Sequence, residues 1–212
     1  MLKIYERYFD EIIDDLRLSG DIEKDSYNIL INRGRNRTAD HSSKVAEECK
    51  RLARRFGERE EIAAVAGYLH DISAVIPNEH KLEIAKELEL EILPEEEEFP
   101  MILHQKISRV IARDIWKITN QEILSAIECH TTLKKNSSSL DMILFISDKL
   151  QWDQDGEPPY IKELKKGLDI SLEQASFNFI KHLLDNKSEL KVIHPWLLDA
   201  YNDLKIKLNV ND

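Results

Sequence analysis

The chain has 212 residues, with 40 acidic against 30 basic side chains and a net charge of −10. On a prior of roughly 150 residues per domain this is one domain with room for an appendage, and a globule this long buries about 70% of its unfolded surface without staples. The acidic balance excludes a general binder of nucleic acid or anionic membrane, whose footprint is basic; two cysteines, Cys49 and Cys129, leave neither a disulfide framework nor a cysteine-based zinc site.

Six glycines and six prolines are few for this length, and Glu, Lys, Leu and Ile are abundant, so the chain reads as all-α. Ile4, Phe9, Ile12, Ile13 and Leu16 recur at helical spacing over residues 2–18, and Ser19-Gly20-Asp21 stops that pattern. A short helix is predicted over 22–32, then a basic loop at Arg33-Gly34-Arg35-Asn36-Arg37. Thr38 to Phe56 is helical, with Gly57 as its C-cap. Glu60 to Asp71 follows, buried along Ile62, Val65, Ala66 and Leu69. Glu79 to Leu90 is a modest amphipathic helix, and the acidic run from Pro94 to Pro100 reads as a solvated loop. Helices are predicted over 101–116, 120–133 and 139–151, an irregular loop over 152–159, and further helices within 160–186 and 195–208. No linker separates two domains. The N-terminus is charged from Lys3 onward and has no apolar targeting region. No run reaches the ~18 apolar residues of a membrane span, so a cytoplasmic protein is expected.

The chemistry gathers at the ends of these helices: His41, the pair His70-Asp71, His104, His130 and Asp148. Asp148 ends a segment from Leu140 that is apolar almost all round and is therefore expected to be central. A carboxylate there is costly unless paired or metal-bound. Asp141 lies at the start of the same helix, where it can cap the N-terminus. His70 and Asp71 are adjacent, so both reach one cavity only where the helix relaxes. Taken singly, each histidine reads as a core or surface residue, and His80, His182 and His194 keep that reading. The order His, His-Asp, His, His, Asp on successive helices is much more specific. Neutral imidazoles with carboxylates suit iron, manganese or zinc.

His41 followed by Val45-Ala46, and Ala66-Gly67-Tyr68-Leu69-His70-Asp71-Ile72, resemble the signature of the HD-domain metal-dependent phosphohydrolases. Ile102-Leu103-His104, Ile127-Glu128-Cys129-His130-Thr131-Thr132, and Ser139-Leu140-Asp141 leading to Ile146-Ser147-Asp148 are similar to the YqeK-type group, the symmetrical diadenosine tetraphosphatases. Ile193-His194-Pro195 with Tyr201-Asn202 adds to that likeness, which spans roughly residues 37–205. The resemblance implies a single-domain helical bundle over 37–212, with 1–36 as an N-terminal helical extension. It implies His41, His70, Asp71 and Asp148 as metal ligands, with iron first and manganese or zinc as alternatives. It also implies Asp71, His104 and His130 as catalytic, with Arg37, His104, His130, Thr131 and Gln154 facing the substrate.

The implied substrate is a nucleotide or dinucleoside polyphosphate, with diadenosine tetraphosphate cut to two ADP. The alternatives are a nucleotidase or pyrophosphatase for a smaller substrate, and a metal-bearing nucleotide sensor without turnover. A homodimer is left open; no nucleic acid or membrane partner is expected. Three cations of the group's pattern are absent or displaced. Ala74 stands where the group has lysine, Gln154 where it has arginine, and Thr38, beside Arg37, where it has another arginine. Compensating cations are sought in Arg33, Arg35 and Arg37 or in Lys134 and Lys135, both clusters reading equally well as solvated surface. Trp152 and Tyr160 read as loop anchors or as a stack for a base.

Overall fold

The computed structural model describes residues 18–152 and 156–210. The helix expected within residues 2–18, and Gln154, lie outside the described residues. The described residues are helical throughout their regular structure and contain no strand, as the scarcity of turn residues predicts. In chain order the helices are α1 (Ile22–Asn32), α2 (Asn36–Phe56), α3 (Glu60–Leu69), α4 (Lys81–Glu87), α5 (Pro94–Glu98), α6 (His104–Asp114), α7 (Gln121–Cys129), α8 (Ser139–Leu150), α9 (Ile161–Leu168), α10 (Leu172–Asp185) and α11 (Pro195–Lys207). Short 3₁₀ turns at Ile72–Val75 and Pro100–Leu103 carry the chain out of α3 and into α6.

Helix α8 is the centre, as its apolar sequence requires. Leu140 through Ser147 are all buried, and the helix packs on α2, α3, α7 and α10. Its start is built by a reciprocal cap: Ser138 Oγ accepts from the Asp141 amide at 3.1 Å, and Asp141 accepts from the Ser138 amide at 2.9 Å. Ser125 Oγ donates to the same carboxylate, which explains how Asp141 is tolerated inside. A second apolar cluster joins Ile29 and Leu30 of α1 to Ile72, Ile76, Leu103, Ile107 and Ile111. The described part of the expected extension therefore packs into the core beside the turn that follows Asp71.

Two expectations need correction. Residues 94–98 are helical, and Glu96 in their midst is fully buried. Its carboxylate meets Lys106 at 2.8 Å and His194 at 3.2 Å, so tertiary partners draw in an acid that its acidic neighbours suggested was solvated. The apolar stripe of α3 is wider than predicted: Ile62 and Val65 are half-buried, while Ala63, Ala64, Ala66, Gly67, Tyr68 and Leu69 are buried. The reason is Gly67, against which the backbone of α2 comes close: a Cβ there would lie 2.5 Å from Ala46 Cα. Elsewhere Gly57 ends α2 in the left-handed conformation, φ 77°, as expected.

Candidate metal centre

Four segments bring polar side chains together beside Asp148 of α8. His41 stands in the second turn of α2, and its Nε2 lies 2.9 Å from Asp148 Oδ1 on α8. Helix α3 ends at Leu69; Asp71, at φ −108° and ψ 17°, has left the helical conformation. That relaxation lets the adjacent His70 and Asp71 face one space. His70 Nε2 lies 3.6 Å from Asp71 Oδ2 and 3.8 Å from Asp148 Oδ1. The other oxygen of Asp71, Oδ1, lies 3.5 Å from both His104 Nε2 and His130 Nε2.

Three of the four imidazoles are oriented by one local device. His70 Nδ1 donates to Gly67 O at 2.8 Å, His104 Nδ1 to Met101 O at 2.7 Å, and His130 Nδ1 to Ile127 O at 2.8 Å. Each partner is the carbonyl three residues back, released where a helix or 3₁₀ turn ends or changes pitch. Hydrogen-bonding one ring nitrogen sets the tautomer, so Nε2 of each ring presents a lone pair to the shared space. His70 Nε2 is buried and has no hydrogen-bond partner among the described residues. His104 Nε2 and His130 Nε2 are 3.0 Å apart, and two lone pairs at that distance repel unless a proton or cation lies between them. Thr131 Oγ1, 3.0 Å from His104 Nε2, completes this side.

The electrostatics fit the same use. Burial pushes the imidazoles of His70 and His104 down to about 4, against the pull of Asp71. Burial would raise Asp71, but the surrounding His70, His130 and His104 outweigh it and hold the carboxyl below the ordinary carboxylate range. Asp148 is likewise held well below its usual value: Lys149 and His41 overcome its burial. Ionised carboxylates with neutral imidazoles are the donor set a divalent cation needs. The donors form two groups, His41–His70–Asp71 and Asp71–His104–His130, each within 4.8 Å, and Asp71 belongs to both.

The structure thus brings together His41, His70, Asp71, His104, His130, Thr131 and Asp148. It does not bring Arg37, which is exposed and lies off the cleft beside the centre; Arg35 and Thr38 line that cleft instead. Lys134 and Lys135 are also absent from its lining. Trp152 packs edge-on against the buried Tyr160, their ring centroids 6.0 Å apart, as a loop anchor does.

Two lysines escaped the sequence reading. Lys149 Nζ donates to Asp148 Oδ2 at 2.6 Å and to the His130 carbonyl at 2.8 Å, and lies 4.7 Å over the Phe145 ring. Its signal was a lysine next to the critical carboxylate on an otherwise apolar helix. Lys81 lines the cleft, and its burial pushes the ammonium down to about 8, against Asp71 and reinforced by Arg35. It carried no local signal, because its helix alternates charges as a surface helix does.

The family model described as the HD domain matches residues 38–153. An uncharacterized protein in the pepC 5' region of Lactococcus lactis subsp. cremoris is 46% identical over 69% of this chain and 74% of its own length. A symmetrical bis(5'-nucleosyl)-tetraphosphatase of Halalkalibacterium halodurans is 27% identical over 79% of this chain and 88% of the relative. Among solved structures, a predicted HD superfamily hydrolase involved in NAD metabolism from Clostridium acetobutylicum superposes with a TM-score of 0.75 at 29% identity. That match covers 87% of this chain and 97% of the other. No described helix is long and apolar enough to cross a membrane.

Proposed function

The chain belongs to the HD domain family and is a phosphohydrolase, and from that premise we propose that it cuts a dinucleoside polyphosphate, diadenosine tetraphosphate first, symmetrically to two nucleoside diphosphates. The observation that carries this reading is Asp71, one of whose oxygens faces His70 Nε2 while the other faces His104 Nε2 and His130 Nε2. His41, His70, Asp71 and Asp148 would hold a divalent ion, iron in the first instance. His104 and His130, with Asp71, would hold a second ion or face the phosphates. Such an ion would lower the pKa of a bound water and polarise a phosphoryl oxygen. In this proposal residues 37–212 form the hydrolase domain, and 1–36 a helical extension of it.

The remaining work falls to the chain. Hydrolysis of a phosphoanhydride depends on positioning and on charge stabilisation. Asp71 and His104 both border the cleft, so a phosphate entering it meets the carboxylate-held centre and an imidazole together. Thr131 steadies His104, and its backbone amide is fixed in turn by Gln105 Oε1 at 3.1 Å. His130, almost fully buried, lies against His104, their Nε2 atoms 3.0 Å apart. His104, the more exposed of the two rings with a side chain 17% accessible against 2% for His130, would accept the proton shed by the attacking water on its Nε2 lone pair and return it to the leaving phosphate.

The test loads the protein with iron, manganese or zinc, measures bound metal, and assays diadenosine tetraphosphate beside ATP, ADP and AMP. The expected result is ADP as sole product of the dinucleotide, and an Asp71→Asn variant that loses both metal and turnover. A metal-loaded protein that leaves every substrate intact overturns the reading, as does equal, near-zero metal in parent and variant. Preferential cleavage of a mononucleotide would establish the smaller-substrate alternative.

A further inference from the structure

Beside the metal centre lies a cleft of about 650 Å³, within the range of small-molecule sites. Its wall includes Asp71 and His104 of the centre, apolar Ile76, Pro77 and Met101, and two cations, Arg35 and Lys81. Position 74 also lines it, but offers only the methyl group of an alanine.

Lys81 is unusual among these. It is 2% exposed, at the first turn of α4, and its ammonium donates to Ser73 O at 3.3 Å and Ile76 O at 3.1 Å. Ser73 belongs to the 3₁₀ turn that follows Asp71, and Ile76 caps that turn. An ammonium carries three donors, so this pair leaves one uncommitted. Among the described residues no carboxylate approaches Lys81 within ion-pair distance, although Asp71 and Glu79 attract it from farther off. A buried charge without a neutralising partner is costly, and an anionic ligand in the cleft would supply the missing charge. Arg35, exposed at the N-cap of α2, presents a second positive group to the same space. Two carboxylates of the lining oppose them: Glu79 is exposed and hence screened, and Asp71 is turned to the imidazoles of His70, His104 and His130.

We propose that Lys81 and Arg35 form a phosphate-reading pair in this cleft, binding a phosphate of the polyphosphate chain beyond the one attacked at the Asp71 centre. The inference rests on the phosphohydrolase reading and deepens it. Specificity for a chain of several phosphates then comes from α4 and the N-terminus of α2, and position 74 has no part in it. The apolar wall of Ile76, Pro77 and Met101 lies where a nucleoside attached to that phosphate chain would rest.

The experiment uses the metal-loaded full chain, with Lys81→Met, Lys81→Arg and Arg35→Met beside the parent. Binding of inorganic tripolyphosphate is measured by calorimetry, and kcat and KM for diadenosine tetraphosphate and for a monophosphate ester. Lys81→Met is expected to weaken tripolyphosphate binding and raise KM for the tetraphosphate about tenfold, in line with loss of one charge-assisted contact. Bound metal and KM for the monophosphate ester should stay within about twofold, and Lys81→Arg should recover most of the binding. Equal losses on both substrates, or tripolyphosphate binding that is absent in the parent or unchanged in the variants, overturn the proposal. Should Lys81→Met fail to fold, Arg35→Met, at an exposed position, decides between the same two outcomes. A parent that binds tripolyphosphate but hydrolyses nothing would sink the phosphohydrolase reading and leave the anion site standing.

Discussion

At the residue scale, the centre depends on side chains that orient other side chains. Lys149 is the clearest: it neutralises Asp148 Oδ2 and holds the carbonyl of His130, tying the two groups of candidate donors together. Its charge is also the main influence keeping Asp148 ionised against burial. Lys149→Met keeps the aliphatic stem packed over Phe145 and removes only the ammonium. Partners of this kind are typically worth about 10–100-fold in metal affinity. A metal titration of the variant should show a loss of that size, with turnover largely regained at saturating metal. Unchanged affinity would mean that Asp148 is held by His41 alone. The sequence could name His41, His70, Asp71 and Asp148 as residues but not this dependence, since adjacency in sequence does not say which way Lys149 turns.

At the element scale, the distance between α2 and α3 sets the distance between His41 and His70, whose ring centroids are 5.4 Å apart. Gly67 makes that spacing achievable. Gly67→Ala gains at most about 1 kcal/mol of helix propensity. Its Cβ, however, would meet Ala46 Cα at 2.5 Å and Ala46 N at 2.8 Å, backbone atoms that no rotamer change can clear. Overpacking of this kind costs about 1–3 kcal/mol or more, so the clash wins. Denaturant unfolding should show a net loss, and elemental analysis should show less bound metal, because α2 carries His41 away as it yields. A variant as stable and as metal-rich as the parent would mean the helices slide without cost. Elements of this sort were legible in proportion to how local their causes are. The apolar run of α8 and the Gly57 cap announced themselves through neighbours in sequence. Residues 94–98 did not, because Glu96 is buried by Lys106 and His194, and no local pattern shows that.

At the scale of the whole molecule, that same glutamate joins parts of the chain that are far apart in sequence. Glu96 in α5 accepts from the Leu93 amide at 2.9 Å, from Lys106 of α6 at 2.8 Å, and from His194 at the N-cap of α11 at 3.2 Å. His194 Nδ1 accepts from the Trp196 amide at 3.1 Å, so its Nε2 carries the donated proton and the ring serves as a neutral imidazole. Lys106 Nζ in turn lies over the Trp196 ring, 4.8 Å from its centroid. Helix α6 begins with His104, so the network fixes the register of the element that brings His104 to the centre. Burial opposes the charge on Glu96, but His194, Lys106 and the Leu93 amide outweigh it and hold the carboxyl below its ordinary value. A folded-state pKa below the unfolded one means that the unfolded chain takes up the proton first as pH falls. The stabilisation is therefore complete above the unfolded carboxylate value, about 4.3, and is lost as pH drops through the lower folded value. Glu96→Gln removes the charge and leaves Lys106 buried without its partner, a change that typically costs about 3–5 kcal/mol. Thermal unfolding from pH 7 down to pH 3 should show a wide gap in Tm between parent and variant at neutrality. Below about pH 4 the gap should close, because the parent's own carboxyl is then being neutralised. A gap that stays constant across this range would mean that Glu96 contributes shape and hydrogen bonds, with its charge playing no part.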